Sequence, residues 1–337
     1  MKNSIIPVFI PHLGCPHDCV FCNQKRISGS LLPACRSDVV REIEEGLTKC
    51  EKAELAFYGG SFTAIPMEEQ EALLDAASPY LLDGRISSIR LSTRPDAINE
   101  EILDMLKEKG VSTIELGSQS MIDSVLAASW RGHTAADTEK AAEMIKSKGF
   151  NLILQMMTGL PGSDAEMDLE SARRIAALRP HGVRVYPTVI IRDTALADMW
   201  REGVYHEHSV ENAVEVCAEI QTLFDEAGIP VIRMGLNPSD ELSGGDALGG
   251  AYHPALGELV KSRIYLKKAR TLLREVPAGA EIVLGVHPSC ISQMTGQKRC
   301  NVEALMSEFH LKSLKIRAMD VKIGEIMVES VAKNGNL

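Results

Sequence analysis

Three cysteines within eight residues constrain this chain more than any other feature. Gly14-Cys15-Pro16-His17-Asp18-Cys19-Val20-Phe21-Cys22-Asn23 has the spacing C-x3-C-x2-C and follows an apolar run, Ile5–Ile10, that reads as a strand. The chain has 337 residues and eight cysteines, and the other five are scattered. A disulfide-stapled domain is shorter and denser in cysteine. The N-terminus lacks a basic start leading into an apolar core and a small-residue cleavage site. No apolar run approaches the roughly 20 residues that span a bilayer. We therefore expect a cytoplasmic protein with no membrane partner. In such a reducing compartment clustered thiols bind metal more often than they pair. Three thiolates hold three irons of a [4Fe-4S] cluster and leave the fourth open to a ligand. Zinc is the alternative, since the three cysteines with His12 or His17 make a Cys3His set. The spacing permits both.

The chain alternates short apolar runs with amphipathic stretches. Strands are expected at Ile5–Ile10, Ala53–Tyr58, Ser88–Thr93, Ser112–Leu116, Leu152–Met156 and Gly182–Tyr186. Helical patterns lie at Asp38–Lys49, Met67–Ala77, Ile98–Lys109, Ala135–Lys148 and Ala165–Leu178. A further helix at Val210–Ala227 precedes a short strand at Ile229–Arg233. Regular βα alternation predicts an α/β fold with a parallel sheet and helices on its outer face. Six units are too few for a full barrel of ~250 residues, so a partial (β/α)6 TIM-like barrel is expected. Residues 237–250 are rich in turn formers. We read residues 1–236 as the barrel and 237–337 as a small C-terminal α/β or α+β segment.

Alternation along the strands gives a polar face. Arg90, Ser92 and Arg94 oppose Ile89, Leu91 and Thr93, while Glu115 opposes Ile114 and Leu116. Arg184 and Tyr186 oppose Val183 and Val185, and Gln155 alternates with Leu154 and Met156. If the apolar faces meet the helices, the polar set lines the lumen. An inert barrel fills its lumen with apolar layers. Each buried polar group left unsatisfied costs about 1–3 kcal/mol, so a polar ligand is the expected partner.

The cysteine spacing, with aromatic Phe21 before its last cysteine, resembles the signature of the radical S-adenosylmethionine (SAM) superfamily. Further motifs follow at successive strand ends: Tyr58-Gly59-Gly60-Ser61, Ser92-Thr93-Arg94-Pro95-Asp96, Glu115-Leu116-Gly117-Ser118-Gln119, Arg131-Gly132-His133, Thr158-Gly159-Leu160-Pro161-Gly162 and Arg184-Val185-Tyr186-Pro187. In this order they resemble the radical SAM domain of the Elongator catalytic subunit, a tRNA wobble-uridine modifying enzyme. The oxygen-independent coproporphyrinogen oxidases are more distant. The resemblance covers about residues 5–235. It implies an enzyme that reductively cleaves SAM at a [4Fe-4S] cluster, making a 5′-deoxyadenosyl radical that abstracts hydrogen from substrate. It implies Cys15, Cys19 and Cys22 as cluster ligands, and Gly59 and Gly60 against the methionine part of SAM. Glu115 and Gln119 are implied toward its ribose or amino acid part, and Gly159 beside the adenine. Arg94, Arg131, Arg184 and Tyr186 would orient SAM's carboxylate or the substrate. The substrate, a small molecule or RNA, stays open. So does its partner role as a tRNA-binding protein, or as a zinc-held scaffold without activity. An external one-electron reductant such as flavodoxin or ferredoxin is implied.

The tail departs from that subunit. About 100 residues follow the barrel, too few for a complete acetyltransferase domain. Gln293-Met294-Thr295-Gly296-Gln297 begins like an acetyl-CoA pyrophosphate loop, but Lys298 stands where a small residue is needed. Formal charge is −10, yet residues 238–337 hold 13 basic and 11 acidic side chains. A basic run, Lys261, Arg263, Lys267, Lys268, Arg270 and Arg274, reads either as a phosphate-contacting face or as a solvated helix face.

Overall fold

A computed structural model describes residues 4–10, 15–23, 34–239 and 242–332. His12 and Gly14 lie outside the described residues. The first elements alternate as β1 (Ser4–Phe9), α1 (Arg36–Leu47), β2 (Ala53–Tyr58), α2 (Met67–Leu82), β3 (Ile86–Thr93), α3 (Glu100–Glu108) and β4 (Val111–Gln119). Next come α4 (Asp123–Ala128), α5 (Ala135–Ser147), β5 (Asn151–Thr158), α6 (Ala165–Ala177) and β6 (Gly182–Pro187). They are followed by β7 (Val189–Ile191), α7 (Ala195–Arg201), α8 (Val210–Glu226), β8 (Val231–Met234) and β9 (Ala247–Gly250). The last are α9 (Leu256–Leu273), β10 (Glu281–Val286), α10 (Ile291–Thr295), α11 (Cys300–Glu308), β11 (Ser313–Ala318) and β12 (Ile326–Ala332).

Two compact units result. One comprises Met1–Ala213 and Leu223–Tyr252, the other Val214–Thr222 and His253–Leu337. In the first, seven parallel strands run in the order β1-β2-β3-β4-β5-β6-β8. The strand expected after α8 thus joins the sheet as its seventh member. β1 and β8 stand at the two edges, so the barrel is open. Parallel pairing requires crossovers, and capped helices supply them. Asn99 accepts from the Ile102 amide at the start of α3, and Asp164 from the Met167 amide at the start of α6. Thr134 and Asp137 form a reciprocal capping box on α5. Helices α3 and α5 each bury an apolar stripe. Ile102, Leu103, Met105 and Leu106 of α3 are buried, as are Ala141, Ala142 and Ile145 of α5. Burying one such leucine or isoleucine contributes about 1.5–3 kcal/mol.

Two elements of this unit carry no βα signal. β7 pairs antiparallel with β9, joining Val189 to Gly250 across the chain. Leu242 is buried with Val189 and Ile191 beneath that pair. Gly250, at φ 81°, lies so close to the Thr188 carbonyl that no Cβ fits.

The second unit is α/β as well. Its sheet runs β11-β10-β12, with β10 parallel to β11 and antiparallel to β12. Tyr265, Leu266 and Leu273 of α9 are buried with Ile282 and Leu284 of β10 and Leu305 of α11.

Candidate active site

Parallel strands end together, so the loops after them meet at one mouth of the barrel. The cysteine loop follows β1 and is anchored through Val20. Val20 is buried among Ile190, Leu196 and Tyr205. Its amide donates to the Ser129 carbonyl at 3.3 Å, and its carbonyl accepts from the Leu196 amide at 2.7 Å. Asn23 Nδ2 donates to the carbonyls of Arg192 and Asp193. With Val20 pinned inward, the flanking thiols turn the other way, into a cavity of about 210 Å³.

Cys15, Cys19 and Cys22 all line that cavity, with Gly59, Gly60 and Ser61 after β2, Arg94 after β3, Gln119 at the end of β4, and Arg131. Gly59 adopts φ 92°, open to glycine at no steric cost, and bends the chain beneath the loop. Gln119 takes φ 63° where the register of β4 on β5 shifts after Gly117. Cys15 Sγ is 3.4 Å from Ser61 Oγ. Arg131 Nη1 donates to Cys19 Sγ at 3.1 Å, and its Nη2 to the Gly117 carbonyl at 2.7 Å. Arg94 grips Asp96 through Nε at 2.9 Å and Nη2 at 3.0 Å, and donates to the Arg131 carbonyl. His17 sits on Gly132, whose φ of 71° and lack of a Cβ make room for the ring. His133 lies below with Nε2 at 3.3 Å from the Ser118 carbonyl. Burial, with the charges of Arg131 and Arg94, brings its imidazole down to about 4.

Four residues expected at the cofactor stand off the cavity wall. Glu115 is fully buried, two residues before Gly117 on β4, and its carboxylate is saturated. Oε1 accepts from Tyr58 at 3.0 Å, Arg90 at 3.1 Å and Arg184 Nη2 at 3.0 Å. Oε2 accepts from Arg184 Nε at 2.8 Å and Gln155 at 3.0 Å. Arg90 also pairs with Glu54 at 2.6 Å. Glu115, Tyr58, Arg90, Arg184 and Gln155 thus engage one another, while Ser92, Arg94 and Gln155 of the same polar set line the cavity, where the sequence led us to expect a ligand. Burial pushes the Glu115 carboxyl up, but Arg184 and Arg90 together with Gln155 hold it below the usual carboxylate range. Tyr186 is likewise pushed up by burial. Gly159, at φ 68°, lies under the His208 ring and has its carbonyl held by Tyr205 at 2.7 Å. Its amide donates to Asp168 at 2.9 Å, and Ser163 donates to the same carboxylate at 2.6 Å.

Ser61, Gly117 and Gly132 are among the site residues that sequence reasoning gave no role. Each was inside a recognised motif, but its use depends on a neighbour 46, 14 or more residues away. Among the described residues no three Cys, His, Asp or Glu side chains converge as a single-ion site requires. The three thiols instead share one cavity wall beside a buried guanidinium. Soft thiolates facing a cation suit a multi-iron cluster of net negative charge.

The basic run on α9 is largely engaged. Lys261 pairs with Glu258, Lys267 with Glu215 and Glu219, and Arg270 with Glu308, while Arg263 meets Glu215. Lys268 donates to the Gly324 carbonyl. Lys298 and Arg299 both take positive φ, at 50° and 67°, so this turn departs from a glycine-rich phosphate loop.

Residues 9–175 match the family described as the radical SAM superfamily, and residues 180–266 the radical SAM C-terminal domain. The chain is 29% identical over 204 residues to a tRNA uridine(34) acetyltransferase of Methanocaldococcus jannaschii, covering 55% of this chain and 38% of that protein. It is 30% identical over 193 residues to Elongator complex protein 3 of Homo sapiens, covering 51% and 35%. The chain thus spans less than two fifths of the length of these relatives. Among solved structures, the archaeal Methanocaldococcus infernus Elp3 with an N-terminal deletion has TM-score 0.62 at 24% identity, covering 82% of this chain and 66% of that one. That likeness bears on the fold.

Proposed function

Because the chain belongs to the radical SAM superfamily, we propose that Cys15, Cys19 and Cys22 hold three irons of a [4Fe-4S] cluster within the cavity they line. When bound, the reduced cluster supplies the electron that cleaves SAM to methionine and a 5′-deoxyadenosyl radical, which takes hydrogen from the substrate. The chain's own residues bind, orient and exclude water. Gly59 and Gly60 let the backbone approach the methionine part of SAM, since no side chain stands between. Gln119 presents a neutral amide to SAM's polar groups. Arg94, locked to Asp96, fixes the carbonyl of Arg131 and so the loop that backs Cys19. Gly159 forms the turn beside the adenine, braced by Asp168 and Tyr205. Glu115, Arg184 and Tyr186 act as positioning residues: their buried network fixes the strand ends on which the cavity rests.

The observation that carries this reading is the sharing of one cavity by three thiols and a glycine pair at parallel strand ends. Anaerobic reconstitution with iron and sulfide tests it. Four irons and four sulfides per chain are the expected load, lost on replacing any one of the three cysteines by alanine. Colourless protein carrying one zinc, and refusing iron, would overturn it.

We further propose an external one-electron reductant, flavodoxin or ferredoxin, and a cytoplasmic location. No helix among the described residues is long and apolar enough to cross a membrane. Residues 1–236 would form the catalytic barrel and 237–337 a segment that selects substrate. A second reading, an RNA-borne substrate, is favoured by the tRNA uridine(34) acetyltransferase among the relatives.

A further inference from the structure

Four arginines with little exposure gather around the barrel interior and its mouth. Arg90 and Arg184 meet Glu115, Arg90 also meets Glu54, and Arg94 grips Asp96. Arg131 differs. It is 6% exposed, and among the described residues no carboxylate pairs with it. Its guanidinium donates to a carbonyl on one side and to Cys19 Sγ on the other, and its Nε has no partner. Removing a guanidinium from water without an opposing charge is costly, so such a group is retained where an anion completes it. The atom within reach is the sulfur of Cys19, which as an iron ligand is a thiolate.

The fold holds this contact from three directions. Gly117 leaves room for the guanidinium, because a Cβ there would lie 3.4 Å from Nη2 and 2.9 Å from Gln119 Nε2. Arg94 fixes the carbonyl of Arg131 itself. The Ser129 carbonyl, two residues earlier, accepts from the Val20 amide next to Cys19. The donor and the sulfur therefore belong to loops tied together at adjacent residues.

We propose that Arg131 sets the reduction potential of the cluster through an N–H···S hydrogen bond to the Cys19 thiolate. The inference rests on the cluster reading above and deepens it. Reduction adds one electron from the external reductant to the cluster; no bond breaks and no proton moves, since the guanidinium stays charged throughout. Hydrogen bonds to cluster sulfurs and nearby positive charge are two of the levers that set such potentials. Both favour the more negative, reduced form, so Arg131 raises the potential and makes the cluster easier to reduce.

The test is a potentiometric titration of the reconstituted full chain, followed by electron paramagnetic resonance. SAM is left out, so that no effect can arise through a ligand carboxylate. Wild type, Arg131→Gln and Arg131→Lys are compared at equal iron and sulfide content. Loss of the charge and of the reach that brings Nη1 to Cys19 in Arg131→Gln is expected to weaken reduction about tenfold, a fall of about 59 mV for one electron. Arg131→Lys keeps the charge but loses the fixed fork, and its midpoint is expected between the two. A midpoint for Arg131→Gln equal to wild type overturns the inference. If Arg131→Gln fails to fold or load, Arg131→Lys decides: a lowered midpoint supports the inference and an unchanged one overturns it. A wild-type chain that takes up no iron and sulfide fails the cluster reading instead, a result distinguishable at the first step.

Discussion

At the scale of single residues, the site depends on atoms that are absent as much as on those present. Gly132 has φ 71° and the His17 ring where its Cβ would be. Gly132→Ala combines backbone strain with displacement of that ring. A stability loss of about 1–3 kcal/mol is expected by denaturant unfolding, together with reduced iron uptake. Unchanged stability and loading would remove Gly132 from the account. Glu115 makes the opposite case, a charge whose every oxygen is engaged. Glu115→Gln leaves Arg184 without its carboxylate and Arg90 with Glu54 alone. Breaking one side of a buried pair costs about 3–5 kcal/mol, so the variant should melt well below wild type. The stability that Glu115 contributes has a definite sign with pH. Its folded pKa is depressed, so the contribution is present above the ordinary carboxylate range and is lost as pH falls through the folded value. A Glu115→Gln chain as stable as wild type at neutral pH would show the network to be dispensable.

At the scale of elements, the βα rhythm was legible because each strand carries its own apolar alternation and each helix its own stripe. β2 and α5 begin where the sequence puts them, at Ala53 and Ala135. What was not legible depends on partners far along the chain. β7 is three residues long, and its mate β9 lies nearly 60 residues on. Arg184 finds Glu115 across 69 residues, and Arg131 finds Cys19 across 112, through strand register and loop tethering that no local pattern encodes. The cysteine spacing itself needed no such information. The turn after β5 gives an element-scale test. Burial pushes Asp168 up to about 6, against the hydrogen bonds from Ser163 and Gly159. The folded chain therefore holds this proton more tightly than the unfolded chain. Relative to Asp168→Asn, wild type should lose about 2–3 kcal/mol of stability as pH rises from about 4 to about 6. Parallel pH profiles for the two chains would contradict this.

At the scale of the whole molecule, negative charge and basic tail read differently once the side chains have partners. The basic run of α9 is laced to Glu215, Glu219, Glu258 and Glu308, as a solvated helix face would be. If the substrate is carried on RNA, this face is not expected to grip it. Lys267→Glu with Lys268→Glu should leave low-salt tRNA binding within about twofold of wild type, as read by fluorescence anisotropy. A large loss would make this face of α9 part of the substrate interface. The central claim concerns the barrel, where three thiols, a glycine pair and a buried guanidinium surround one cavity. Its most direct test is the production of 5′-deoxyadenosine from SAM by the reconstituted chain under a strong one-electron reductant. Cleavage by wild type, abolished in a folded Cys19→Ala chain, is the result this account predicts. A cluster-loaded wild type that leaves SAM intact would contradict it.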